Sequence, residues 1–170
     1  DGSGGEYPAE ITAVGKKNLQ VLTGYLLQKE CESSLNIHLG IGVSRGERMD
    51  WIVQKSTELG VTSLTPLSSE HSGVKLTGDR ANKKILHWQQ IAVSACEQCG
   101  RNRTPIIHPL QALNHWLAST VAERKIVLHH RADSAGTGSA PASIALLVGP
   151  EGGLSESEIE TAAQAGYAAL

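Results

Sequence analysis

From Leu146 to Ser155 the chain reads Leu-Leu-Val-Gly-Pro-Glu-Gly-Gly-Leu-Ser, an apolar run passing through three glycines and a proline into a helix start. Glycine lets backbone approach a ligand closely, and open α/β sheets bind ligands at the carboxyl ends of their strands. The pattern therefore suits a small molecule held by main-chain groups. It suits equally a tight strand-to-helix corner that needs positive φ. It lacks the G-x-G-x-x-G spacing, and no G-K-[ST] follows, which disfavours a nicotinamide or a nucleoside triphosphate. A second turn, Leu128-His129-His130-Arg131-Ala132, should emerge at the same edge of the sheet. Adjacent histidines point to opposite sides of a strand and chelate one metal poorly, so one ring packed and one solvated is the expectation. His38, His71, His87, His108 and His115 are scattered with no zinc spacing, and no metal is expected.

Cys96-Glu97-Gln98-Cys99 invites a redox reading. It falls at the carboxyl end of a predicted helix, where the dipole opposes a thiolate, so packing is the expected role. Basic residues are concentrated. Between His71 and Arg103, Lys75, Arg80, Lys83, Lys84, Arg101 and Arg103 outnumber Asp79 and Glu97 by four. Arg45, Arg48 and Lys55 form a second group, while Glu151, Glu156, Glu158 and Glu160 make the far end acidic. Lys83 and Lys84 also fit a plain solvated helix face. Arg101 and Arg103 follow a helix stop, a place suited to bidentate phosphate contacts.

The elements that must position these residues follow from periodicity. Tyr7 to Val14 and Asn18 to Leu27 read as a hairpin joined by Gly15-Lys16-Lys17, and Gln28 to Ser34 as a linker. Two strands make no stable unit alone, so residues 1–30 are expected to be the tail of a small β domain. Strands are expected at 36–43, 61–67, 105–108, 125–129 and 144–148. A helix at 46–59 should bury Met49, Ile52, Val53 and Leu59. A helix at 79–99 should carry the stripe Ile85, Trp88, Ile91, Ala92, Ala95 and Cys99, and a short one should span 110–119. Gly60, Gly100 and Gly166 are glycine stops. Ser155 and Glu158 form a capping box, with Leu154 and Ile159 spaced as a hydrophobic staple. Alternation this regular predicts an α/β fold, a mainly parallel sheet with helices on both faces, over residues 31–170.

The bulk numbers agree. Of 170 residues, 40% are hydrophobic and 19% charged, with a net charge of -2, so any basic surface must be local. No apolar run approaches the roughly 20 residues a bilayer requires. Three cysteines, an odd and sparse set, point to a reducing cytoplasm. The opening Asp1-Gly2-Ser3-Gly4-Gly5 shows no leader, and Ala168-Ala169-Leu170 looks like a strand just beginning, so a piece of a longer protein is expected.

Ser44-Arg45-Gly46-Glu47-Arg48-Met49-Asp50, Gln54 to Val61, Glu70-His71-Ser72-Gly73-Val74-Lys75, Trp88 to Ala92, Glu97-Gln98-Cys99-Gly100-Arg101 and Gly149 to Ser155 occur together in this order. That ordered set resembles the ribosomal RNA small subunit methyltransferase E family, of the SPOUT α/β-knot superfamily, over essentially the whole chain. The resemblance implies a PUA-like RNA-binding domain, here reduced to residues 1–30, before a knotted methyltransferase domain at 31–170. It implies methyl transfer from S-adenosylmethionine to N3 of one uridine in 16S ribosomal RNA, a homodimer, and the small ribosomal subunit as partner. By the same likeness Leu128, His129, Gly149, Pro150, Glu151, Gly152 and Gly153 would frame the cofactor. Arg45, Arg48, Lys75, Gln98, Arg101 and Arg103 would face RNA, with Arg101 nearest to catalysis and no general base assigned. Surface salt bridging is the competing role for each of these side chains. Alternatives are another SPOUT enzyme acting on a ribose or a different base, and a non-catalytic RNA-binding or dimerisation fragment. Two features depart from the family pattern. Histidine follows Leu128 where proline is usual, and the family's next glycine-rich strand and L-R-x-E-T-A-like helix, which close the knot, do not follow Leu170. Such a chain is expected to bind cofactor weakly or not at all.

Overall fold

Strand and helix alternate as their hydrophobic periods require. The computed structural model describes residues 2–29, 31–74, 76–129 and 140–170. Lys75, and His130, Arg131 and Ala132 of the second turn, lie outside the described residues. The amino-terminal hairpin pairs β1 (Ala9–Val14) with β2 (Leu19–Thr23) antiparallel, slipping register between Ile11 and Ala13. It packs on little else, with Val14 76% and Leu22 65% exposed. The expected linker is pinned: Lys29 Nζ pairs with Glu6 at 3.0 Å, and Asn102 donates its amide to the Lys29 carbonyl.

The main sheet contains β3 (Asn36–Gly42), β4 (Ser63–Ser68), β5 (Ile106–Ile107), β6 (Gln111–Ala112), β7 (Arg124–Val127), β8 (Ser143–Val148) and β9 (Ala168–Ala169). Its order is β5-β4-β3-β8-β7-β9 with β6 also on β4, and every pairing is parallel. From β3 the chain steps outward to β4 and β5, then crosses to β7 and returns to fill the gap with β8. The direction of winding reverses between β3 and β8. Connections leaving those two carboxyl ends depart to opposite faces, opening a crevice there.

Helices α1 (Arg48–Glu58) and α2 (Gly78–Cys99) cover one face, and α3 (Leu113–Ser119) and α4 (Glu156–Gln164) the other. Along β3 the alternation is literal. Leu39 and Ile41 join Met49, Val53, Trp88 and Ala92 in one core, while Gly40 faces α3 so closely that a Cβ would stand 2.6 Å from Trp116. The second core gathers Trp116, Leu117, Val127, Leu147, Ala162 and Tyr167.

Several expectations need correction. Leu59 is 82% exposed: the buried stripe of α1 is Met49, Val53 and Thr57 at i, i+4, i+8, and Leu59 is the carboxyl cap outside it. Cys99 is exposed and Cys96 is buried in its place, one turn before left-handed Gly100. The short helix begins at Leu113, because Gln111 and Ala112 extend to pair with Leu67 and Ser68. The strand at Lys125 ends at Val127 rather than His129. No helix among the described residues is long and apolar enough to cross a membrane.

Candidate active site

At the carboxyl end of β8 the chain bends through Gly149-Pro150-Glu151-Gly152-Gly153 before entering α4. The Gly153 amide donates to the Pro150 carbonyl at 2.9 Å, and Gly153 takes φ of +72°, a conformation other residues resist. A Cβ on Gly149 would lie 3.0 Å from the Gly153 and Leu154 backbone, so a side chain there would push the bend open by a few tenths of an ångström. The start of α4 is locked by the expected capping box: Ser155 Oγ accepts from the Glu158 amide at 3.2 Å, and Glu158 Oε2 accepts from the Ser155 amide at 2.9 Å. Glu158 is 6% exposed, and its other oxygen accepts the Glu70 amide at 2.8 Å.

Two more loops meet this bend. After β4, His71 donates Nδ1–H to the Gly152 carbonyl at 3.1 Å, since a carbonyl only accepts; the imidazole tautomer is thereby set. A Cβ on Gly152 would stand 3.0 Å from the His71 Cβ, so the two residues pack tightly. After β3, the Arg45 amide donates to Glu151 Oε1 at 3.0 Å and the Arg48 guanidinium stands 3.4 Å from the same oxygen. Backbone amides of Glu151 itself and of Arg45 hold the Glu151 carboxyl below the usual carboxylate range, with Arg48 assisting. Arg45 Nε donates to the Gly73 carbonyl at 3.2 Å, tying the β3 and β4 loops together.

Beside the bend lies a cavity of about 630 Å³. Its wall is the apolar face of β3 and β8, from Ile37, Leu39, Ile41, Leu146 and Val148. Its polar rim carries Ser44, Arg48, Lys55, Ser56 and Glu151. A few polar groups around a mostly apolar wall are what orient a bound small molecule.

The structure brings some expected residues together and separates others. Leu128, Gly149, Pro150 and Glu151 line the cavity, and so does Arg48, which sequence reasoning had assigned to RNA. Gly152 and Gly153 shape the bend without lining the cavity. His129 is half-buried beside it, its amide donating to the Leu170 carbonyl at 3.0 Å. Arg45 does not line the cavity: its amide meets Glu151, which does, and its side chain turns to the Gly73 carbonyl. Gln98 is exposed near the far end of α2. Arg101 requires correction. It follows α2 at the amino-terminal edge of the sheet, opposite the bend, with its side chain 8% exposed. Its guanidinium donates to both oxygens of Glu32 and to the Thr57 and Val61 carbonyls, which makes it a clamp between linker, α1 and β4 rather than a group reaching the bend of its own chain. Arg103 lies at the same far edge, bridged through its backbone to Ser3. Sequence reasoning missed Trp51, Lys55 and Ser56 of α1 as lining residues; the signal available was their place in the first helix after the strand that flanks β8.

Residues 31–170 match the RNA methyltransferase domain family. A ribosomal RNA small subunit methyltransferase E of Buchnera aphidicola subsp. Schizaphis graminum is 34% identical over 162 residues, covering 94% of this chain and 66% of the relative. The chain thus spans slightly less than two thirds of that relative's length. Among solved structures, a ribosomal RNA small subunit methyltransferase E of Neisseria gonorrhoeae bound to S-adenosyl methionine superposes with a TM-score of 0.92 at 38% identity, covering 100% of this chain and 72% of that one. A Legionella pneumophila protein solved with the same cofactor gives 0.95 at 37%, covering 100% and 71%.

Proposed function

Because this chain belongs to the RNA methyltransferase domain family, and within it to the ribosomal RNA small subunit methyltransferase E family, we propose that it is the catalytic part of an S-adenosylmethionine-dependent enzyme that methylates N3 of a uridine in 16S ribosomal RNA. Residues 1–30 are the tail of a PUA-like RNA-binding domain and 31–170 a SPOUT knot domain. The enzyme works in the cytoplasm as a homodimer on the small-subunit RNA or its particle.

The observation that carries this reading is the glycine bend at the carboxyl end of β8, seated on a cavity of about 630 Å³ where the winding of the sheet reverses. The residues fit the cofactor. Gly149 lines the cavity with bare backbone, and the apolar β3–β8 wall suits an adenine ring. When bound, S-adenosylmethionine supplies a methyl group already activated on a sulfonium. What remains for the protein is to place the acceptor in line, exclude water and accommodate the N3 proton.

Gly149, Pro150 and Glu151, with Leu128, line the seat of the donor, and Gly152 and Gly153 set the bend that presents them. Arg48 stands on the rim and exposed Arg45 three residues before it, cations suited to phosphates of the substrate. The titratable side chains on the rim are Arg48, Lys55 and Glu151, and Glu151 is committed as an anion to Arg45 and Arg48. It acts as an anchor for the β3 loop rather than as a base. Calorimetry with S-adenosylmethionine on the full-length protein, followed by nucleoside analysis of treated 16S RNA, tests the reading. Binding and 3-methyluridine are expected; no heat of binding ends it.

A further inference from the structure

On the outer side of the α1–α2 layer lies a second cavity, of about 510 Å³. Ile91 and Ala95 form its floor, and Gln54, His87, Gln90, Ser94 and Gln98 its polar rim. The rim is braced. Asp50 accepts His87 Nε2–H at 2.9 Å through one oxygen and the Trp88 indole N–H at 2.9 Å through the other. Gln54 donates to Glu58 at 3.0 Å. Among the described residues the carboxamides of Gln90 and Gln98 have no hydrogen-bond partner.

The groove continues a charged track. Arg80, Lys83, His87, Gln90, Ser94 and Gln98 are all exposed and recur at steps of three and four, so they share one face of α2 over about 27 Å at 1.5 Å per residue. Asp79, exposed in the first turn beside Arg80, is the carboxylate at the start of that stripe, where Arg80, Lys83 and Lys84 outnumber it. Asp50 is taken by His87 and Trp88, Glu58 pairs with Lys55 at 2.7 Å, and Glu97 lines a different cavity with Cys96 and Arg101. The track begins at the correct end. α2 starts at the carboxyl-terminal edge of the sheet, directly after the β4 loop whose His71 holds Gly152.

We propose that this α1–α2 groove is a receptacle for an unstacked nucleobase of the substrate RNA, with the cationic first half of α2 carrying the adjoining phosphates. An apolar floor suits the flat face of a base. Neutral carboxamides, each offering donor and acceptor, suit its edge better than charged groups would. The inference rests on the RNA-methyltransferase reading and adds a site for a nucleotide other than the one modified.

The test compares the full-length protein's affinity for a labelled oligouridylate and for the same ribose-phosphate oligomer lacking bases. Wild type should prefer the oligouridylate by about tenfold, the scale of one well-seated base. Gln90→Ala combined with Gln98→Ala, or Ser94→Tyr as a plug, should abolish the preference while calorimetry with S-adenosylmethionine stays unchanged. Lys83→Ala should weaken both oligomers alike and lower the salt slope by about one. If wild type binds the oligouridylate with that preference and both groove variants keep it, the groove is overturned while the RNA reading stands. If wild type binds neither oligomer nor 16S RNA, the RNA reading falls and takes the groove with it. If the groove variants instead convert a dimer to a monomer in sedimentation, the groove is a contact between copies and the proposal is wrong.

Discussion

Glu151 shows how one side chain organises the candidate site without touching a reacting atom. Its carboxylate gathers the Arg45 amide and the Arg48 guanidinium, so two loops from neighbouring strands share one anchor. Gly149 contributes by lacking a side chain. Gly149→Val should lower affinity for S-adenosylmethionine by about tenfold or more, about 1.4 kcal/mol, with the circular dichroism spectrum retained; undiminished binding would show that the bend is only a corner. His71 offers a subtler probe, since it serves the bend through a single N–H. His71→Leu removes that donor and should weaken cofactor binding several-fold, whereas His71→Asn, whose amide sits near the position of Nδ1, should restore most of it. Equal losses in both variants would argue for packing alone. The glycines were readable as ligand-facing or corner-forming, but nothing in the sequence chose between them. The partner that decides, His71, lies some eighty positions away.

Elements with local signals were legible, and those defined by distant partners were not. The box at Ser155 and the left-handed stops at Gly60, Gly100 and Gly166 stand where short-range chemistry puts them. Arg101 looked available because a loop after a helix stop is usually open, yet Glu32, Thr57 and Val61 converge on it from three separate segments. Arg101→Ala would take the guanidinium away from the Glu32 carboxylate, whose side chain is 15% exposed, and from the Thr57 and Val61 carbonyls. Breaking such a pair should cost about 3 kcal/mol, read as a fall in urea midpoint, while cofactor affinity of the folded fraction is unchanged. A loss of affinity with no loss of stability would return Arg101 to the site. Beyond α4, burial pushes the Tyr167 hydroxyl up to about 12 from its ordinary 10.0. Between those values the folded chain keeps a proton that the unfolded chain releases. Stability is therefore complete below pH 10 and falls as pH rises toward 12, by about 2 to 3 kcal/mol. Tyr167→Phe should flatten that alkaline slope in denaturant titrations; an unchanged slope would assign it to other groups.

Across the whole molecule, the α/β class and the parallel sheet follow from alternating apolar runs and helical stripes, but the strand order does not. Strands β3 and β8 both carry apolar residues toward each face of the sheet, and neither declares its neighbour. Their pairing, Asn36 opposite Ser143 through Ile41 opposite Val148, joins segments more than a hundred residues apart. That feature has a consequence in time. A ribosome delivers β3, β4 and their helices early, and these bury their own core before the middle strand exists. β8 follows both strands it lies between, β3 and β7, and must slot between them, so the bend at its tip is assembled only after both are made. A nascent chain thus has no cofactor seat until β8 has emerged, and S-adenosylmethionine added during translation should protect from protease only ribosome-bound intermediates that already include residues 143–153.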